Sequence, residues 1–530
     1  MRRKWFTASL FSAILLGSGA WFIQGSTPSD GRTYDQARLL ETVVGLVADY
    51  YVDSIGEGDL YQRAARGVVE KLNDPYSVLL IGPEFRRANE RSTGNYGGIG
   101  AQVDARAGSI TVVAALPDSP AERAGLETGD QIIAIDDEPT RSWSLRQAAT
   151  NLRGPVGTTV VLTVHRVGAP APLAIALTRE RIHRRGVKEG IFLDRGVGYI
   201  SYDFVSENSA RELRLEVERL AADGMHSLVL DLRGNPGGMR DESVAAADLF
   251  LDPGDTLLVT WGRSEGDSHN FVDALPQPWP NLRFAVLVDR QSASAAEILA
   301  GAVQDHDRGL VVGQPTFGKG LVQTQFRLAE DVALRITTAR WFTPSGRTIQ
   351  RAEADVAGTR PAPGSTEPGV FLSSAGRSLQ GGGGIVPDIE IPRDTIPEHE
   401  RALAEALMSH LSPYRDALTS YSLELKRAGA LVSEDFTVTQ EMRREILRRL
   451  EHDGVSLDDE MVDIGGTFID RHLSYEIARY NFGLPAEMRR RARDDGQLQH
   501  ALKLLRQHQS TEALLGLRPG ARSHVTAPPG

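Results

Sequence analysis

The spacing of apolar positions changes several times along the chain. Met1-Arg2-Arg3-Lys4 precedes an apolar run from Trp5 to Ile23. As a helix of about 19 residues rising about 1.5 Å each, this run nearly crosses a hydrocarbon core of about 30 Å. The basic flank marks the cytoplasmic side, so everything beyond Ile23 is expected to be exported. Residues 1–24 read as a signal peptide, with Gly17-Ser18-Gly19-Ala20 as a small-residue cleavage site, or as a retained membrane anchor. After a Pro, Gly and Ser linker, residues 34–92 form an N-terminal helical segment. Leu39, Val43, Leu46, Val47 and Tyr50 recur at helical spacing, and a second helix is predicted around Ala64 to Leu72.

Residues 93–181 have a different texture. Short β-branched runs at Ile110 to Val113, Gln131 to Ile135, Val160 to His165 and Leu173 to Leu177 are separated by turn residues. One short helix, Pro120 to Ala124, ends at Gly125, which suits a C-terminal cap. This is a small, mostly β module. From residue 182 to 395, strands alternate with helices: Val197 to Ser201, Ser206 to Asp223, Ser227 to Leu232, Asp241 to Phe250, and Phe284 to Val288 leading into a helix beyond Ser294. Continuous apolar strands between helices predict a sheet covered by helices, a mixed α/β fold. Arg351 to Gly384 reads as a long Pro- and Gly-rich loop. Residues 396–517 are helical again: Leu403 and Leu407 suit one helix, Ser412-Pro413 reads as a cap and first-turn proline, and further helices are predicted at Gln440 to Leu450, Phe468 to Asn481 and Pro485 to Arg506. Residues 518–530 read as a frayed tail.

Composition narrows the function classes. At 530 residues, with 41% hydrophobic and 24% charged residues, the chain is ordinary globular material in several domains. A formal net charge of -11 argues against nucleic acid as a partner. The absence of cysteine excludes thiol catalysis, disulfides and cysteine-based zinc sites. There is no H-E-x-x-H and no acidic or histidine triplet at ligand spacing, so neither metal nor cofactor is expected.

The candidate chemistry concentrates between Asp289 and Gln323. Ser294 stands at a helix start, where serine ordinarily caps an orphan N–H. Lys319 follows between Gly318 and Gly320, and if Leu321-Val322 are in a strand, Lys319 and Gln323 share one face. A serine hydroxyl needs a base. No histidine lies in a recognisable motif, His306 being the nearest to this helix, but a neutral lysine can act instead. With a pKa of about 10.4, about one lysine in 2,500 is neutral at pH 7, and lowering that pKa by about three units costs roughly 4 kcal/mol, which burial can supply. A surface lysine in a GKG turn is the alternative. Acyl transfer also needs oxyanion donors: Ala295 N–H is one, and Gly237 or Gly238 could bring another. Phosphate binding by Gly234 to Gly238 is disfavoured, because no Walker lysine follows. Arg233 and Asp231 read as ion-pair partners, and Glu297 either orients the site or caps its helix.

Taken together, these blocks resemble the carboxyl-terminal processing peptidases, serine proteases with a Ser–Lys pair and an embedded PDZ domain. LNDPYS (72–77), YGGIGA (96–101), SPAERAGLETGDQIIAID (119–136), LRGPVGT (152–158), LDLRGNPGG (230–238), SASAAE (292–297), GKGLVQ (318–323), TPSGRTIQ (343–350) and GIVPD (384–388) occur in family order. The resemblance implies Ser294 as nucleophile rather than Ser292, Lys319 as general base and Gln323 as the residue positioning it. Ala295 with Gly237 or Gly238 would form the oxyanion hole. Ala296 departs from the serine common in relatives, outside any of these roles. The resemblance also implies a crotonase-like core and, at Gly97, Gly98, Ile99 and Gly100, a loop receiving a peptide's terminal carboxylate while the peptide adds as a strand. Substrates would be proteins or peptides with apolar C-termini, met in the periplasm or at the periplasmic face of the inner membrane. Residues 397–517 fall outside the resemblance and suit a docking, homo-oligomer or adaptor module, or a lid. A catalytically silent PDZ scaffold is the competing reading, and an acyl-CoA enzyme would want a nucleotide pocket that the residues do not offer.

Overall fold

Alternation within the strands explains the architecture. The computed structural model describes residues 31–516, apart from 107–108, 167, 195, 264–265, 267 and 352–368. The apolar run Trp5 to Ile23 and the tail 518–530 therefore lie outside the described residues. Among the described residues no helix is long and apolar enough to cross a membrane. The fold is mixed α/β, and its contacts divide it into two units.

The smaller unit runs through Leu79 and includes Leu334–Ile336. It contains helices Gly31–Tyr50 and Glu57–Glu70, the second starting earlier than its apolar spacing indicated. Val44 is buried, whereas Leu39, Val43 and Leu46 are exposed, so the stripe that announced the first helix is not its buried face.

The larger unit is built on a six-stranded sheet in the order Ile191–Asp194, Val197–Ser201, Ser227–Asp231, Arg283–Val288, Leu310–Gly313 and Ile389–Glu390. The first pair is antiparallel and the rest are parallel. Successive side chains point to opposite faces of a strand. Leu228, Leu230, Phe284, Val286, Val288 and Val311 accordingly pack on one side against helices Ser209–Ala222, Arg240–Asp248 and Ala295–Asp305. Val229, Ala285, Leu287, Leu310 and Val312 pack on the other, where Leu498, Ala501, Leu502 and Leu505 of helix Gly496–Gln507 cover them. The second face of the core is thus supplied by the C-terminal region. Strands Thr256–Gly262, His269–Val272, Leu321–Ala329 and Val332–Phe342 belong to a separate antiparallel sheet.

The β-rich module hangs from this core on a two-stranded ribbon, Asn95–Gly98 paired with Glu180–His183. Its own antiparallel sheet has the order Ala101–Arg106, Ser109–Ala115, Gln131–Ile135, Thr159–His165 and Leu173–Thr178. The sequence pattern located four of these strands and the short helix Pro120–Arg123. It missed helix Leu145–Leu152, whose start carries a Ser144/Gln147 capping box that could have betrayed it. It also missed strand Ala101–Arg106, which is the edge of the sheet.

Three further expectations need correction. The loop assigned to Arg351–Gly384 contains a hairpin, Val370–Leu372 with Ser378–Gln380. Ser412 does not cap its helix: that helix starts at Leu411 and has His410 at the cap position. The single helix assigned to Pro485–Arg506 is two, Leu484–Asp494 and Gly496–Gln507. The break falls at Asp495, whose side chain accepts from Leu498 N–H at 2.9 Å and so caps a new helix. Helices Glu398–Ser409, Leu411–Ala428, Gln440–His452 and Thr467–Phe482 enclose a core of their own around Leu403, Leu418, Ile446 and Leu473.

Candidate active site

Ser294 follows strand Arg283–Val288 and immediately precedes helix Ala295–Asp305. An ordinary N-cap residue has an extended backbone. Ser294 instead has φ 54° and ψ -114°, a region that a residue with a Cβ rarely occupies. Strain of this kind persists only where the surroundings over-determine it, and it clusters at functional positions. The surroundings are visible. Ser292 is wholly buried, and its hydroxyl donates to Leu232 C=O at 2.8 Å and accepts from Asp289 N–H at 2.9 Å. Ala293 N–H donates to Asn235 C=O at 2.9 Å. The first serine of the motif is therefore committed to holding the turn that presents the second.

The loop from Arg233 to Gly238 lies directly against this turn. Gly234 N–H donates to Asp289 Oδ1 at 2.9 Å, and Asn235 Nδ2 donates to Tyr202 C=O at 2.7 Å. Gly237 has φ 87°, and a Cβ placed on it would fall 2.9 Å from Ser294 Cβ and 2.8 Å from Ala295 N. Only glycine allows that approach. Of the two glycines expected to carry an oxyanion donor, Gly237 has its N–H engaged by Asn235 Oδ1 at 2.8 Å. The loop's bridge to Val205 uses Gly237 C=O and Met239 N–H, which leaves the Gly238 N–H outside both bonds.

Glu297 joins the two halves of the site. Its wholly buried carboxylate accepts from Ser294 N–H at 2.6 Å and Lys319 N–H at 3.0 Å through Oε2. Through Oε1 it accepts from Gly318 N–H at 2.7 Å and the Thr316 hydroxyl at 2.5 Å. Burial pushes its pKa up, and the bonds from Thr316, Lys319, Gly318 and Ser294 oppose that rise by favouring the ionised form. The sequence left Glu297 divided between orienting the site and capping the helix. It accepts the N–H at the helix start and anchors the Lys319 loop with the same group.

Lys319 is half-buried two residues ahead of strand Leu321–Ala329, and its carbonyl accepts from Trp341 Nε1 at 3.1 Å. Gln323 is on that strand, where its amide donates to Thr337 Oγ1 at 3.3 Å. Arg233 is the residue whose reach the sequence underestimated. Beyond its bonds of 2.9 and 2.6 Å to Asp231, it contacts Asp495 at 3.0 and 2.6 Å and Gln497 at 3.0 Å. No local signal in the sequence links residues that far apart.

In the β-rich module, Gly97 and Gly98 end the ribbon strand opposite Arg181 and Glu180, and only Ile99 and Gly100 lie in the following loop. This corrects the expectation that all four form the loop. Ile99 is buried, its carbonyl accepting from Ala121 N–H at 2.8 Å. Gly100 has φ 75°, and a Cβ there would fall 2.2 Å from Ser119 Cβ. Beyond it runs edge strand Ala101–Arg106, hydrogen-bonded to one neighbouring strand, with helix Leu145–Leu152 alongside and Asp104 bound by Arg415 of helix Leu411–Ala428. The edge strand of a sheet beside a helix can take an extended peptide as an additional strand.

Two stretches of the chain match models of known families. Residues 196–358 match the model of peptidase family S41, and residues 111–166 match that of the PDZ domain. A carboxy-terminal-processing protease of Bartonella bacilliformis is 34% identical over 329 residues, which span 61% of this chain and 75% of the relative. A carboxyl-terminal-processing protease of Picosynechococcus sp. is 37% identical over 284 residues, 53% of this chain and 68% of the relative. Among solved structures, a photosystem II D1 C-terminal processing protease aligns at 25% identity over 68% of this chain and 94% of that one, with a TM-score of 0.35. The chain belongs to the carboxy-terminal-processing proteases of peptidase family S41 and carries a PDZ domain.

Proposed function

We propose that the chain is a serine endopeptidase that recognises protein C-termini through its PDZ domain and cleaves by a Ser294–Lys319 acyl-enzyme mechanism. The observation that carries this reading is the Glu297 carboxylate, which binds the backbone of both Ser294 and Lys319 and so fixes the two residues relative to each other.

Neutral Lys319 takes the proton from Ser294 Oγ as Oγ attacks the scissile carbonyl carbon. The oxyanion is held by Ala295 N–H and Gly238 N–H, since Gly237 donates elsewhere. Collapse expels the amine with the proton returned from Lys319, leaving an ester on Ser294. Water, deprotonated by Lys319, then hydrolyses the ester. Gln323 orients Lys319 from the neighbouring strand. The substrate's apolar tail adds along Ala101–Arg106, with its carboxylate at the Ile99–Gly100 turn. The reaction takes place on the periplasmic side of the membrane, consistent with the basic flank and apolar run at residues 2–23.

The test compares wild type with Ser294→Ala and Lys319→Ala on an unfolded substrate with an apolar C-terminus. Both variants are expected to lose cleavage by at least about 10³-fold, as removal of paired catalytic groups does elsewhere. Cleavage retained in either variant overturns the dyad. A wild type that binds the tail but never cleaves is what the scaffold alternative requires. Amidating the substrate's C-terminus is expected to slow wild-type cleavage, and unchanged kinetics would remove the PDZ domain from recognition.

A further inference from the structure

The Arg233–Gly238 loop is held from two directions. From within the core, Asp289 takes Gly234 N–H, Asn235 takes Gly237 N–H, and Ser292 binds Leu232 C=O. From outside, the guanidinium of Arg233, at the base of the loop, is clamped between two carboxylates. Asp231 sits on the strand below it, and its Oδ2 also accepts from Tyr199 OH at 2.8 Å. Asp495 faces it from the C-terminal region, giving 3.0 Å to one terminal nitrogen and 2.6 Å to the other, while Gln497 Oε1 adds a further acceptor at 3.0 Å. A planar guanidinium gripped by two carboxylates has little rotational freedom. Asp495 is itself fixed, because it caps helix Gly496–Gln507 and that helix is packed on the central sheet. The neighbouring Gly496 N–H is bound by Asp394 at 2.8 Å, and Gln497 Nε2 by Ile391 C=O at 2.7 Å.

We propose that Asp495 is a positioning residue for the protease reaction: through Arg233 it sets the place of the Gly237-Gly238 turn against Ser294. The C-terminal region thereby contributes to the site from outside the stretch that matches the family model. The inference rests on the reading of Gly238 N–H as an oxyanion donor. An oxyanion donor works only where it is aimed at the charge as it develops, so small displacements of its loop act on turnover more than on substrate binding.

The experiment uses the full chain and the unfolded, apolar-tailed substrate. Asp495→Ser keeps a helix cap, because serine serves that position well, but cannot reach Arg233. It is expected to lower kcat by about 10- to 100-fold with KM within about twofold of wild type and the thermal midpoint preserved. Asp495→Asn, which retains one acceptor towards Arg233, is expected to fall between. The decisive readout is coupling. If Asp495 acts through Arg233, the double variant Arg233→Lys/Asp495→Ser loses no more kcat than Arg233→Lys alone, whereas independent roles would give multiplying losses. Multiplying losses overturn the proposal, as does a folded Asp495→Ser with wild-type kcat. Should Asp495→Ser fail to fold, wild-type kcat in Asp495→Asn overturns it equally. Wild-type cleavage that Ser294→Ala abolishes, together with wild-type kcat in Asp495→Ser, removes this inference alone. Absence of cleavage by wild type removes the functional reading beneath it.

Discussion

The two faces of the central sheet are covered in different ways. One is covered by helices that each follow a strand of the sheet closely in sequence, and this face carries Ser294 and Glu297 at the start of its last helix. The other is covered by helix Gly496–Gln507, whose capping residue Asp495 is 262 positions from the Arg233 it binds. The first face carries Ser294, Ala295 and Glu297, while Lys319 and Gln323 come from around the start of a strand of the separate antiparallel sheet. The second is packed under helix Gly496–Gln507, whose cap residue Asp495 grips the loop that approaches Ser294. The loop beside Ser294 is therefore held from both, although the S41 family model matches only residues 196–358.

That contrast can be broken most directly by removing residues 396–530. If the C-terminal region were a detachable docking module, the remaining chain would fold. Because Val229, Ala285 and Leu287 would lose their cover, the truncated chain is expected to be insoluble or to lack a cooperative thermal transition. A cooperative transition near the wild-type temperature would refute the shared core. A gentler version is Leu502→Ala, at a side chain buried to 1% exposure against that face. It is expected to cost about 2–5 kcal/mol in denaturant unfolding. A cost below about 0.5 kcal/mol, the range of ordinary surface changes, would mean the helix is loosely attached.

On the first face, Gly237→Ala sharpens the comparison, because the added methyl would collide with Ala293 C=O, Ala295 N and Ser294 Cβ. It is expected to lower kcat by about 100-fold through displacement of the turn, measured beside an unfolding curve that separates turnover from folding. The smallest effect expected is one of pH. Burial, with Asp248 alongside, pushes the Asp273 carboxyl up to about 7. The folded state then holds that proton more tightly than the unfolded chain does, so this contribution to stability is complete below about pH 4 and is lost as pH rises through about 7. Asp273→Asn is accordingly expected to melt higher than wild type at pH 8, with the gain vanishing towards pH 4. A constant difference across that range would show that Asp273 does not titrate there.

Much of the framework of the candidate site was legible because local rules coincide with it. Continuous apolar runs pointed to strands at Ser227 to Leu232 and Phe284 to Val288, observed at Ser227–Asp231 and Arg283–Val288, and the loops that follow those strands are where Gly237 and Ser294 stand. Glycine flanks drew attention to Lys319. Left unread were features that depend on side-chain contacts: the engagement of Gly237 N–H by the side chain of Asn235, and the grip of Asp495, 262 positions away, on Arg233. The split at Asp495 was local and could have been seen, since Asp-Gly there interrupts an otherwise helical run. The apolar stripe at Leu39, Val43 and Leu46 misled about burial because helical spacing reports a face without saying what covers it.

The central claim is that Ser294, held in its strained conformation by Glu297 and the Ser292 turn, forms the acyl-enzyme. It is tested most directly by acid-quenching wild type during turnover of a substrate with a slow-hydrolysing ester, followed by mass analysis of the digested chain. An acyl adduct on the peptide containing Ser292 and Ser294, absent from Ser294→Ala and still formed by Ser292→Ala, is the expected result. An adduct that survives Ser294→Ala would contradict the account.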